Sequence, residues 1–202
     1  MSRYRTRSWR AFDPGAVRTP RTYTATLRIL GLDPGSRRTG YGVIERRGAD
    51  WVHVAHGCVS VPGGQRSLPE RLRVIFESLH ELIAAYTPGE VAIERVFVNR
   101  NVDSALKLGQ ARGAALCAVP KGLPVFEYAP RAIKLALVGS GAAEKVQVAH
   151  MIRTVLCLQG RISPDAADAL AVAVCHAHSL RLYELAAQSE QSAMPATTQP
   201  AR

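Results

Sequence analysis

Four carboxylates stand where carboxylates are costly. Asp33 closes the apolar run Leu27-Arg-Ile-Leu-Gly-Leu32 and is followed by Pro34 and Gly35. At the end of a buried strand, such a side chain projects into the cleft where the chain turns. Pro34 removes a backbone donor there, and Gly35 permits close approach. The plainer alternative is an Asp-Pro-Gly turn whose Asp bonds its own backbone. Glu94 interrupts the apolar strand Val91-Ala-Ile, and a buried charge is costly unless paired or bound to a cation. Its plain alternative is a place on the strand's open face or a pairing near Arg95. Ser163-Pro-Asp-Ala-Ala-Asp168 reads as a helix start, with Ser163 as N-cap and Pro164 at the first helical position. Asp165 and Asp168, three apart, then share one face, although first-turn acids also simply complement the helix dipole. Together, two strand-borne acids and a helix-borne pair suit Mg²⁺, which prefers oxygen ligands. Two such ions, about 4 Å apart, would activate a water and stabilise the leaving oxygen of a phosphodiester. Spacing alone does not bring these distant segments together, so their convergence is an expectation.

Cations and an aromatic accompany the acids. Gly139-Ser-Gly-Ala-Ala-Glu-Lys145 reads as a loop entering a helix, where Glu144 suits the positive N-terminal end and Lys145 opposes it. Free N–H groups at a helix start also bind phosphates, and Lys145 adds a point charge to the same place. Lys134, on the preceding helical segment, could reach the same backbone; a solvated lysine is the bland reading of each. Phe97 follows the Glu94 strand beside Asn99, Arg100 and Asn101. Its ring could meet an unstacked base at the cleft edge, or pack in the core. His150, His176 and His178 read as packing or surface residues, their part in catalysis open.

The elements that must position these groups follow from the hydrophobic pattern. Leu27–Leu32, Thr39–Ile44 and Trp51–Val61 read as three strands joined by short Gly-containing turns, an antiparallel meander, with alternation in the third. Ser67-Leu-Pro-Glu70 opens a helix as a capping box, with Leu72, Ile75, Leu79, Leu82 and Ile83 on one face. A strand at 91–97, a helix at about 103–118 and a strand at 124–128 follow. Helices at about 130–138, 143–158 and 163–186 complete the order βββαβαβααα: an α/β chain with a mixed five-stranded sheet flanked by helices. The fifth of these segments, counting the first helix as the fourth and the next strand as the fifth, is the one that carries Glu94. Ala105, Gly109, Ala111, Gly113, Ala114 and Ala115 make the 103–118 helix unusually small, open to close approach by a second backbone or by its own sheet.

The chain has 202 residues and a net charge of +10. That length bounds the fold to one domain: a single core at 27–186, a basic extension at 1–26 expected to be disordered, and a polar tail at 187–202 expected to be likewise. Residues 1–28 hold seven Arg and one Asp, so much of the basic excess lies in the extension. A basic balance suits a polyanionic partner. No apolar run approaches a membrane span and no signal-like segment opens the chain, so the expectation is a soluble, cytoplasmic protein with no membrane partner. Cys58, Cys117, Cys157 and Cys175 have no metal-ligand spacing and read as buried, reduced thiols.

The blocks GLDPGSRRTGYGVI, AIERVF, DSALKLGQARG, PVFEYAPR, AEKVQV and DAADALAVAVCHAH resemble, in order, those of the RuvC family of Holliday junction resolvases, over roughly residues 28–180. The resemblance implies an RNase H-like fold and a homodimer with one site per subunit. It also implies dependence on Mg²⁺ or Mn²⁺, and paired symmetric nicks across four-way junction DNA. The catalytic carboxylates would be Asp33, Glu94, Asp165 and Asp168. A DNA-contacting aromatic would be Phe97, with Arg100 in the same DNA-binding loop, and the catalytic-region lysines Lys134 and Lys145. RuvA and RuvB are the implied partners, and association with a bacterial nucleoid the implied location. The extension at 1–26 departs from the pattern, and the cleavage sequence preference is not legible. Three other readings fit less of the chain. An actin-like ATPase needs a second lobe, an RNA-directed RNase H-like nuclease leaves GQARG and AEK unexplained, and a non-catalytic binder of branched DNA would have lost an acid.

Overall fold

The computed structural model describes residues 26–61, 67–95 and 101–193. Three strands come first: β1 (Arg28–Asp33), β2 (Arg38–Arg47) and β3 (Asp50–Ser60). Then follow α1 (Leu68–Tyr86), β4 (Glu90–Glu94), α2 (Val102–Cys117), β5 (Val125–Tyr128), α3 (Pro130–Val138), α4 (Lys145–Val155) and α5 (Pro164–Ala193). The sheet order is β3-β2-β1-β4-β5. β1, β2 and β3 pair antiparallel, while β4 joins β1 and β5 joins β4 in parallel. The mixed five-stranded sheet with its antiparallel first trio is the one expected.

β1 is apolar on both sides because both sides are covered. Ile29 faces the core beneath α3, α4 and α5, and Leu30 and Leu32 face the core beneath α1 and α2. Helix α1 begins with the expected capping box between Ser67 and Glu70, and buries Ile75, Leu79 and Ile83. Helix α5 is buried all round from Ala169 to Ala177, the signature of a helix that runs through a core.

Glycines let α5 lie close on the sheet. A Cβ on Gly31 would fall inside the contact distance of the Ala169 carbonyl, one on Gly40 inside that of the Asp165 carbonyl, and one on Gly42 against the Leu170 side chain. Ser163 accepts a hydrogen bond from the Ala166 N–H and so starts α5 as expected.

Several expectations are corrected. β3 shows no alternation: it is an edge strand, half-buried along most of its length, and a bulge opposite Val43 and Ile44 shifts its register. Helix α5 runs on to Ala193, past the expected end near 186; alanine, leucine and glutamate favour helix and no Gly or Pro stops it sooner. Only Cys175 is buried; Cys117 and Cys157 are exposed and Cys58 is half-buried. Cys117 ends α2 on its exposed side, and Cys157 lies in the turn after α4 with its backbone in the left-handed region, φ 50°. Residues 1–25 and 194–202, and Phe97 and Arg100 with them, lie outside the described residues.

Candidate active site

The site opens where the two central parallel strands part. The β1–β4 ladder ends at the pair Leu32 and Ile93, so Asp33 and Glu94 occupy the next position on each strand. Ligand sites at carboxyl ends of parallel strands arise this way, since the diverging chain leaves a crevice. Asp33 is held by pairing with Gly40 on β2, and the following turn by the Thr39 hydroxyl, which donates to the Gly35 carbonyl at 3.1 Å. Gly35 is needed there, because a Cβ would run into the Arg38 carbonyl.

Asp33, Glu94 and Asp168 form one electrostatic unit. Burial, first, and then the nearby charges of Glu94 and Asp168 push the Asp33 carboxyl up to about 7. Glu94 is raised as well, mainly by burial. Asp33 and Glu94 share a hydrogen bond, in which Asp33, the group raised to near neutrality, is the donor. Lys145 at the start of α4 reaches across to Asp168, Nζ to Oδ2 2.6 Å. That contact raises the lysine above its ordinary value. Lys134 on α3 is near enough to lower Glu94. Glu94, Lys134, Lys145 and Asp168 line a cleft of about 180 Å³ together with Pro130, Ile133, Val148 and Ala171.

Asp165 stands somewhat apart. One turn earlier on α5, its Oδ2 faces β2 and β3, 3.7 Å from Arg38 Nη1 and 3.8 Å from the Cys58 thiol, which donates to it. Among the described residues, no three acids, histidines or cysteines already close around a cation position. Asp33, Glu94 and Asp168 are near enough to act on one another's charge, and Asp165 is adjacent and turned toward Arg38. Neither Arg38 nor Cys58 was legible as a site neighbour. Arg38 is one arginine in a polar turn, and Cys58 reaches Asp165 only because β3 is the edge strand beside α5.

The histidines separate sharply. His178 is partly exposed and contacts the Ala136 carbonyl, and His150 is exposed on α4. His176 is fully buried, Nε2 2.6 Å from Glu90 Oε2 and Nδ1 2.6 Å from the Tyr128 hydroxyl, with Phe126 stacked on its ring. It therefore packs, as expected, but through a polar network. Glu90 has no counterpart in the sequence reading, because nothing in Pro88-Gly-Glu90 marks the residue as buried.

The residues fit a hard cation: the donors are all carboxylate oxygens, and the Asp33 carboxyl is pushed up to about 7 by burial first and then by the neighbouring charges of Glu94 and Asp168.

Comparison with known proteins bears on the whole domain. The family model for the crossover junction endodeoxyribonuclease RuvC matches residues 29–176. The chain is 58% identical to a protein of that name from Alkalilimnicola ehrlichii, over 75% of this chain and 91% of the relative. It is 53% identical to the one from Aromatoleum aromaticum, over 80% and 86%. Among solved structures it resembles T. thermophilus RuvC in complex with Holliday junction substrate, with TM-score 0.72 and 34% identity, covering 77% of this chain and 96% of that one. The yeast mitochondrial Holliday junction resolvase shares the fold, with TM-score 0.63 at 11% identity over 84% and 87%.

Proposed function

This chain belongs to the RuvC family of crossover junction endodeoxyribonucleases, and from that premise we propose that Asp33, Glu94, Asp165 and Asp168 are the acids of its nuclease site. The fold is RNase H-like, and the function is resolution of four-way DNA junctions by metal-dependent nicking, in recombination and repair. The observation that carries the site assignment is the meeting of Asp33 and Glu94 just past the end of the β1–β4 ladder, beside the Asp168 that Lys145 holds. Like charges kept together in a cleft are a standing cost, unless a cation is their normal partner. The test is nicking of a synthetic four-way junction, with matched linear duplex alongside, with and without Mg²⁺. Cutting of both substrates alike, or cutting in chelator, would sink the reading.

Mg²⁺, replaceable by Mn²⁺, would supply water activation and charge neutralisation when bound, with two ions per site the proposed number. Asp33, Glu94 and Asp168 would hold it, with Asp165 turning in from Arg38. The chain's own cations do the rest. Lys134 and Lys145 sit beside the acids and would fix the scissile phosphate against them. Phe97 and Arg100 are proposed to meet a base and the backbone at the cleft edge. No helix among the described residues is long and apolar enough to cross a membrane, and we place the protein with nucleoid DNA in the cytoplasm, working with RuvA and RuvB.

Lys145→Ala should lower cleavage by about a hundredfold, the scale of losing one charge-stabilising donor. Raising Mg²⁺ should not restore it, since phosphate positioning is what has gone. Full recovery at high Mg²⁺ would instead make Lys145 a tuner of cation occupancy through Asp168.

We also propose a homodimer through α2. Its small residues divide between two faces. Ala111 and Ala115 are buried against the protein's own core, whereas a Cβ on Gly109 or Gly113 would meet nothing within 4 Å. Val102 and Leu106, 67% and 62% exposed, extend that open face, and a two-fold contact there would match two symmetric nicks. Gly109→Leu and Gly113→Leu should leave the monomer as stable as before, or more so, because glycine disfavours helix. They should shift sedimentation from dimer to monomer. An unchanged dimer in both variants would move the interface elsewhere.

A further inference from the structure

The carbonyl of Glu94 is reached by a side chain from outside the sheet. Arg112, on α2 and only 19% exposed at its side chain, directs Nε at the Glu94 carbonyl oxygen at 3.4 Å. Its Nη2 lies 2.8 Å from Glu127 Oε1 on β5, and the other oxygen of Glu127 is 3.6 Å from Arg95 Nε. The Nη2 contact is a charge contact whose angle falls outside hydrogen-bond geometry, and Nη2 is shut off from water. The guanidinium is thus committed to two strand ends: the backbone of β4 at Glu94, and the carboxylate one residue before the end of β5.

That position matters because the ladder gives out there. β4 loses β1 as a partner after Ile93. On its other side it is tied to β5 at Glu94–Tyr128, with the Arg95 N–H bonded to the Tyr128 carbonyl at 2.7 Å. Glu94 is therefore held by β5 on one edge and released by β1 on the other, at the point where its carboxylate must meet Asp33 and Asp168. We propose that Arg112 is a positioning residue, which fixes the backbone of Glu94 and thereby sets the cation affinity of the acid cluster. It touches neither DNA nor cation in this role. Partners that orient metal ligands from behind commonly control affinity more than folding. The inference rests on the reading of Glu94 as a metal ligand.

Arg112→Ala, Arg112→Lys and Glu127→Gln test it, with two readouts. One is the rise in melting temperature that Mn²⁺ produces in DNA-free protein. The other is the Mg²⁺ concentration giving half-maximal junction cleavage. Arg112→Ala should need about tenfold more Mg²⁺, show a smaller Mn²⁺-induced rise, and bind junctions in chelator as wild type does. Arg112→Lys should lie between, since an ammonium can meet Glu127 but cannot serve both strands as a fork does. Glu127 is exposed, so Glu127→Gln should fold whatever happens to Arg112→Ala. It should shift both readouts in the same direction by releasing the guanidinium. Metal curves that superimpose on wild type in Arg112→Lys and Glu127→Gln would overturn the inference, even if stability fell. A wild-type protein that neither cuts junctions nor gains stability from Mn²⁺ would overturn the nuclease reading, and this inference with it.

Discussion

Asp33→Asn, Glu94→Gln, Asp165→Asn and Asp168→Asn should each lose junction cleavage by about a thousandfold or more, which is roughly 4 kcal/mol of transition-state stabilisation, and still bind the junction. Each change would remove a proposed negative oxygen ligand while keeping size and hydrogen bonding. Binding is expected to rest instead on cations elsewhere. Single-turnover nicking beside a gel-shift in chelator separates the two quantities. Any one variant that cuts at near wild-type rate removes its residue from the site.

For Asp33 the same substitution has a second effect, of opposite sign. Its carboxyl is raised from 3.8 to about 7, so the folded state holds this proton more tightly than the unfolded chain does. Folding is therefore opposed progressively as pH climbs from about 4 to about 7. Above that it is opposed by the full amount, at about 1.4 kcal/mol per pKa unit. Asn at position 33 cannot ionise. Without divalent cations, Asp33→Asn should melt above wild type at pH 8, and at the same temperature as wild type near pH 4. Adding Mn²⁺ at pH 8 should raise wild type and close the gap. A variant that melts lower than wild type at pH 8 would show that the Asp33 carboxylate is a structural asset, not a cost.

Much of this site could be read before the fold was known, and the reason is local. Asp33 and Glu94 each break an apolar strand, and Ser163-Pro164 announces the helix that carries Asp165 and Asp168. Capping boxes and strand ends are short-range signals, which survive in a single sequence. What could not be read depends on how segments far apart in the chain meet. Asp165 turns toward Arg38 and Cys58 because of where α5 crosses β2 and β3. Likewise, Arg112 sits in a run of small residues that reads as a packing face, and its partners lie on two strands. The exposure of Cys117 and Cys157 escaped the sequence for the same reason, since apolar neighbours do not say which way a residue at a helix end or in the turn beyond it faces.

His176→Ala should destabilise the protein more than any surface change, by about 3–5 kcal/mol, the scale of opening a cavity and leaving a buried polar group without its hydrogen-bond partner. That corresponds to a fall in melting temperature on the order of 10 °C. The imidazole ties α5 to β4 through Glu90 and to β5 through Tyr128. Its removal takes a 2.6 Å partner from a carboxyl with no exposed surface, and opens a cavity against Phe126. Glu90→Gln, which keeps shape and one hydrogen bond, should cost clearly less. Replacing His176 and Glu90 together with Leu and Met should recover much of the loss, because replacing both partners of a buried hydrogen bond by apolar groups of similar shape is often nearly neutral. A double variant less stable than His176→Ala would show that the network is worth more than good packing.

The closeness of α5 to the glycines of β1 and β2 has a consequence for how mutations in this gene would be read. No missense change at a glycine codon makes the residue smaller. Every allele at codons 31, 40 and 42 therefore adds bulk against the backbone or side chains of the helix that carries Asp165 and Asp168. Such alleles would push two acids away from the other two without altering any of them. In a genetic map they would stand as catalytic mutations at positions that bear no functional group.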